Sequence, residues 1–137
     1  MRQALPTFRS KGSSFTGFTP GRLLDSRVGS STVDGMFAGA GFQPSRSVME
    51  LTVGGRHGVA PGSSGVVLNV TAVSAREAGF LTVWPCGDPL PTASSLNFAS
   101  GSTVANAVLS RLGADGKVCI YTSAATDLIV DVTGNLA

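Results

Sequence analysis

Charge is what this sequence has least of. Only 13% of its 137 residues are Asp, Glu, Lys or Arg, about half the usual share. Lysine and cysteine occur twice each, and histidine, tryptophan and tyrosine once each. Each scarcity excludes something. Ten basic residues are spread without a run and net charge is +2, whereas a nucleic-acid binder gathers cations on one face with aromatics between them. One histidine and two cysteines, without CxxC or HxxxH spacing, fall short of the ligand set of a metal site. No stretch approaches a membrane span, and the first twenty residues hold no apolar run of signal-peptide length. Phosphate-cradling glycine motifs are missing, and GSSG at 62–65 lacks the spacing of a nucleophile elbow. The expectation is a chain without metal, cofactor, nucleic-acid partner or membrane insertion.

What the chain does have is apolar residues, 42% of the total, with 18 glycines and many hydroxyls. That mixture suits short strands joined by tight turns. The runs VVLNVTAV (66–73), FLTVWP (80–85), SSLNF (94–98), TVANAVLSR (103–111), KVCIYTS (117–123) and TDLIVDV (126–132) are rich in β-branched or aromatic residues. Earlier, RLLDSR (22–27) reads as a short strand. SVMELTV (47–53) alternates, setting Met49, Leu51 and Val53 against Val48, Glu50 and Thr52. Strands at this spacing predict an all-β domain, an antiparallel β-sandwich with a short β-barrel as the alternative. Asp115-Gly116 predicts a hairpin between the strands on either side, and SAREAG (74–79) is the one stretch suited to a helical turn. Residues 1–20 show no sustained periodicity and read as an extended N-terminal arm, with 21–137 as the single domain. Arg2, Phe8, Arg9 and Lys11 are the arm's candidate assembly contacts. The glycine-rich loop over 28–46 exceeds ordinary connection length, which marks it as functional or as an interface element.

Cys86 and Cys119 are candidates for a nucleophile, a metal site or a disulfide. The only base to activate a thiol is His57, in a GGRHGV loop. A disulfide suits two cysteines in a Gly/Ser/Thr-rich β-domain, and here it would staple separate hairpins. Asp127 and Asp131 share a strand face, with Leu128, Val130 and Val132 forming the core-facing stripe. About 13 Å of strand separates the two carboxylates, too far to share an ion or a glycosidic bond. Pairing of one with Arg22 or Arg27, and turn capping by the other, is the simpler role; hydrolysis through Asp25, Asp127 or Asp131 ranks last. Asn69, Asn97 and Asn106 sit in apolar strands, where a buried amide would tie free backbone groups. Trp84 and Tyr121 flank the cysteines and are the candidate glycan-stacking residues; packing against a bridge is their structural alternative.

The segments LLDSR, LNVTAV, GFLTVWPCG, ASSLNF, TVANAV, DGKVCIYTS and TDLIVDVTG, spanning residues 15 to 134, resemble a recurring β-rich domain of actinobacterial surface proteins. Such domains occur singly or in tandem in secreted proteins, sometimes beside cell-wall hydrolases, and related ones occur in phage proteins of the same hosts. The resemblance implies a non-catalytic display domain, and both cysteines fall within the shared motifs. With Met1 as the start, the usual secretion route is missing, whereas a virion component assembles in the cytoplasm and oxidises after lysis. The expectation is therefore a virion surface protein, a capsid decoration or tail component that homo-oligomerises and contacts other virion or surface proteins. The alternative is a secreted, extracellular cell-wall or glycan-binding module.

Overall fold

The computed structural model describes residues 14–137. Eight strands carry the fold: β1 (Phe15–Asp25), β2 (Ser47–Thr52), β3 (Gly65–Val73), β4 (Gly79–Pro85), β5 (Leu96–Phe98), β6 (Thr103–Arg111), β7 (Lys117–Thr122) and β8 (Asp127–Leu136). They form two four-stranded antiparallel sheets, ordered β1-β8-β3-β6 and β2-β7-β4-β5. This is a sandwich; the strands do not close into a barrel.

Alternation in the sequence decides which side chains face inward. In β3, Val66, Leu68, Val70 and Ala72 are fully buried, and Leu128, Val130 and Val132 of β8 meet them in register. The facing sheet contributes Leu51, Leu81, Val118 and Ile120. A single core thus lies between the sheets.

The structure corrects four readings. Residues 15–20, assigned above to the arm, belong to the sheet: Phe15, Thr16 and Gly17 pair with Leu136, Asn135 and Gly134. Pro20 lies where the register shifts between Gly17 and Gly21, a position on an edge strand where a missing N–H costs no ladder bond. The SAREAG stretch is not helical; it bends, with Ser74 at φ 54°. Asp115 and Gly116 take the consecutive positive φ values, 59° and 70°, expected of a tight turn. Yet β6 and β7 do not pair, because the turn carries the chain from one sheet to the other. The asparagine reading also changes: Asn97 and Asn106 are exposed and Asn69 is half-buried, although Asn106 does donate to the carbonyl of Ser95 at 2.8 Å.

Candidate functional site

The outer face of the β2-β7-β4-β5 sheet is where the residues singled out from sequence converge. Antiparallel register sets Trp84 opposite Cys119 and Thr82 opposite Tyr121. Cys86, one pleat beyond Trp84 on the same face, reaches Cys119 diagonally, and the two form a disulfide with Cα atoms 5.0 Å apart. The bridge joins neighbouring strands of one sheet, not separate hairpins. Two segments that echo each other in sequence, GFLTVWPCG and GKVCIYTS, are thus direct neighbours. Gly113 has a local reason to be glycine: a Cβ there would collide with the backbone of Cys86, where the carbonyl of Cys86 accepts from the N–H of Ala114 at 3.1 Å.

Trp84 packs with both cysteines and Tyr121 in a small cluster apart from the main core. The tryptophan is only 7% exposed, and its indole N–H donates to the carbonyl of Asp88 at 3.0 Å. The loop after Cys86 therefore folds back over the sheet, helped by the Thr82 hydroxyl donating to the carbonyl of Ala93 at 3.2 Å. Trp84 offers no free ring face for a ligand. Tyr121 is half-buried and leans on Phe80 with ring centroids 5.9 Å apart. Together with Thr82, Leu90, Pro91 and Thr92, these two rings line a groove of about 350 Å³. Val48, opposite Tyr121 on β2 and 51% exposed, extends its apolar margin. Phe80 was not singled out from sequence, though its place two residues before Thr82 on an alternating strand puts it on Tyr121's face.

The carboxylates lie on the other sheet and are engaged. Arg22 donates to Asp131 through Nε at 2.9 Å and to Asp25 through Nη1 at 3.0 Å. Arg27 clamps the buried Asp25 from the other side, at 2.7 Å. Hydrogen bonds from Arg27 hold the Asp25 carboxyl below its ordinary range despite the opposing cost of burial. A carboxylate locked between two guanidiniums stays ionised and has no proton to give. Asp127 accepts from the hydroxyl of buried Ser26 at 2.7 Å, and that same oxygen accepts from the N–H of Leu128 at 2.8 Å. The structure thus links Asp25 to Asp131 through Arg22 and ties Asp127 to Ser26.

Sequence reasoning passed over Arg56. Its side chain is 5% exposed and pairs with Asp34 at 2.7 Å. It also donates to the carbonyls of Thr52 and Leu23 at 2.8 and 2.9 Å, and lies 5.2 Å over the ring of Phe37. Both Asp34 and Phe37 belong to the 28–46 loop, so one arginine pins that loop to the end of the sandwich. Neighbouring His57 bonds through Nε2 to the carbonyl of Thr19 at 2.8 Å and packs edge-on to Phe18. Its ring lies against Gly21, on the sheet opposite the disulfide, so it does not serve Cys86. Among the described residues, no three His, Cys, Asp or Glu side chains gather as a metal site, and no helix is long and apolar enough to cross a membrane. Arg2, Phe8, Arg9 and Lys11 lie outside the described residues.

No family model matches the chain, and no curated protein matches it in sequence. Among solved structures it is similar to the coat protein dimer of Tobacco streak virus, at 10% identity over 89% of this chain and 86% of that one. The TM-score is 0.38, a likeness too distant to assign this chain a role.

Proposed function

We propose that this chain is a non-catalytic structural protein of a particle surface, a virion component of an actinobacterial phage that decorates the capsid or tail and stabilises it. The observation that carries the reading is how charge is divided. Three cations and no acid fall in residues 1–13, while residues 14–137 hold seven cations against eight acids, a net of −1. Eight of the domain's fifteen charges are paired within it, in the Arg22–Asp25–Arg27–Asp131 group, the Arg56–Asp34 pair and the weaker, exposed Lys117–Glu50 pair. A basic segment joined to a faintly acidic, self-satisfied domain is suited to contacts between copies rather than to turnover of a substrate. The arm supplies those contacts, and the groove face is left to meet the host envelope. Removing residues 2–13 should abolish incorporation into particles while circular dichroism still reports the folded β-domain. Undiminished incorporation overturns the reading.

The Phe80–Tyr121 groove favours a second reading, a secreted cell-wall or glycan-binding module. Paired rings beside the exposed Thr92 hydroxyl combine an apolar platform with a polar group that fixes orientation. Sedimentation of the protein with purified cell-wall sacculi tests it. Tyr121→Ala and Phe80→Ala should each lose binding, whereas loss-free binding by both variants removes the groove from consideration.

A further inference from the structure

An unguarded edge strand invites pairing with another strand, and folded proteins protect their edges with charge, proline, bulges, shortness or a covering loop. Three of the four edges here are protected in these ways. β1 carries Pro20 and two register shifts, and the 28–46 loop bonds along it through Val33 N–H to the carbonyl of Arg22 and Asp25 N–H to that of Phe37. β2 presents Glu50 beside Lys117. β5 is three residues long.

Among the described residues, β6 has none of these protections before its terminal Arg111. Its nine residues, TVANAVLSR, contain no proline and no charge before the terminal Arg111. It pairs in register along its whole length with β3 and, among the described residues, with no other strand. Val104 and Val108 turn toward the core, so the opposite face displays Thr103, Ala105, Ala107, Leu109 and Arg111, all exposed. Leu109 is 66% exposed, among the most open large apolar side chains described.

We propose that β6 is the dimer contact of this protein and that its partner is β6 of a second copy, antiparallel about a two-fold axis at Ala107. The occupant is argued from self-complementarity, which an isologous interface demands. A dyad at the strand's midpoint sets Ala107 against Ala107 of the second copy. Each bulky Leu109 then lies opposite a small Ala105, and Arg111 opposite Thr103. Large meets small twice, and no like charges face each other. The pairing would join the two β1-β8-β3-β6 sheets edge to edge, and the adjoining β3 side chains Val67, Asn69 and Thr71 add no charge beside the seam. This contact deepens the self-association in the proposed function without depending on the arm or on a virion.

Native mass by analytical ultracentrifugation tests it. Ala107→Lys and Ala107→Glu should each halve the native mass of the contact pair, because each sets like charges across the dyad. An equimolar mixture of the two should restore the dimer. Ala107→Cys should form a covalent dimer on oxidation, since directly opposed strand residues bring Cα atoms within disulfide reach. The chain lacking residues 2–13 should remain dimeric. If that truncated chain is monomeric while the full chain assembles, the arm is the contact and the β6 assignment is wrong. Lys and Glu variants that both keep the native mass of the unsubstituted chain, or a mixture that regains none of the lost mass, overturn it equally.

Discussion

Asp34 is held at a pKa of about 2, below its reference of 3.8, chiefly by hydrogen bonds from Arg56. A depressed folded-state pKa gives stability that is complete above the unfolded value and lost as pH falls through the folded one. The 28–46 loop should therefore stay pinned above pH 4 and loosen between about pH 4 and pH 2, read by hydrogen exchange at the amides of Met36, which donates to Asp34, and Gly39, which donates to the carbonyl of Asp25. Loop exchange that is flat across this interval would contradict the assignment. Asp34→Ala leaves the buried Arg56 guanidinium without its counter-charge and should cost about 3 kcal/mol in denaturant unfolding. Ser26→Ala removes the acceptor of the Leu128 N–H and should cost about 1–3 kcal/mol. Neither role was legible in the sequence. A lone arginine among glycines reads as a solvated turn residue, and only the tertiary fold brings Thr52, Leu23 and Asp34 around it. The Arg22–Asp131 pair was legible in part. Alternation places Asp131 on the polar face, whereas the strand beside it and the choice of Arg22 over Arg27 come from the β1–β8 pairing.

Strand positions were readable where tertiary context agreed with local pattern, and misread where it did not. From Gly65 onward the apolar runs and the strands coincide within one or two residues, with β8 running on to Leu136. FTGFTP reads as part of an extended arm because it shows no sustained periodicity, yet pairing with the end of β8 draws it into an edge strand. The Asp115-Gly116 turn encodes two backbone conformations and nothing about partners, so its dihedrals were foreseeable while the change of sheet was not. Loop 87–95 hid the fate of Trp84, since composition does not reveal that the chain folds back to accept the indole proton at Asp88. The disulfide closes a separation of 33 residues. Its loss through Cys86→Ser with Cys119→Ser should lower stability by about 3–4 kcal/mol on loop-closure entropy, measured by denaturant titration. An unchanged midpoint would contradict the loop-closure account.

Across the whole molecule, the described residues pack around one main core and leave two surfaces with something to offer, the aromatic groove on one sheet and the open β6 edge of the other. The basic first thirteen residues of the sequence are the third candidate contact. Self-association through those residues and the β6 edge is the central claim. The most direct test is the native mass of the full-length protein beside the chain lacking residues 2–13, each followed over a range of concentration. The account predicts an assembly larger than a dimer for the full chain and a folded dimer for the truncated one. A monomer in both, at every concentration, would contradict it and leave the groove as the surface that acts.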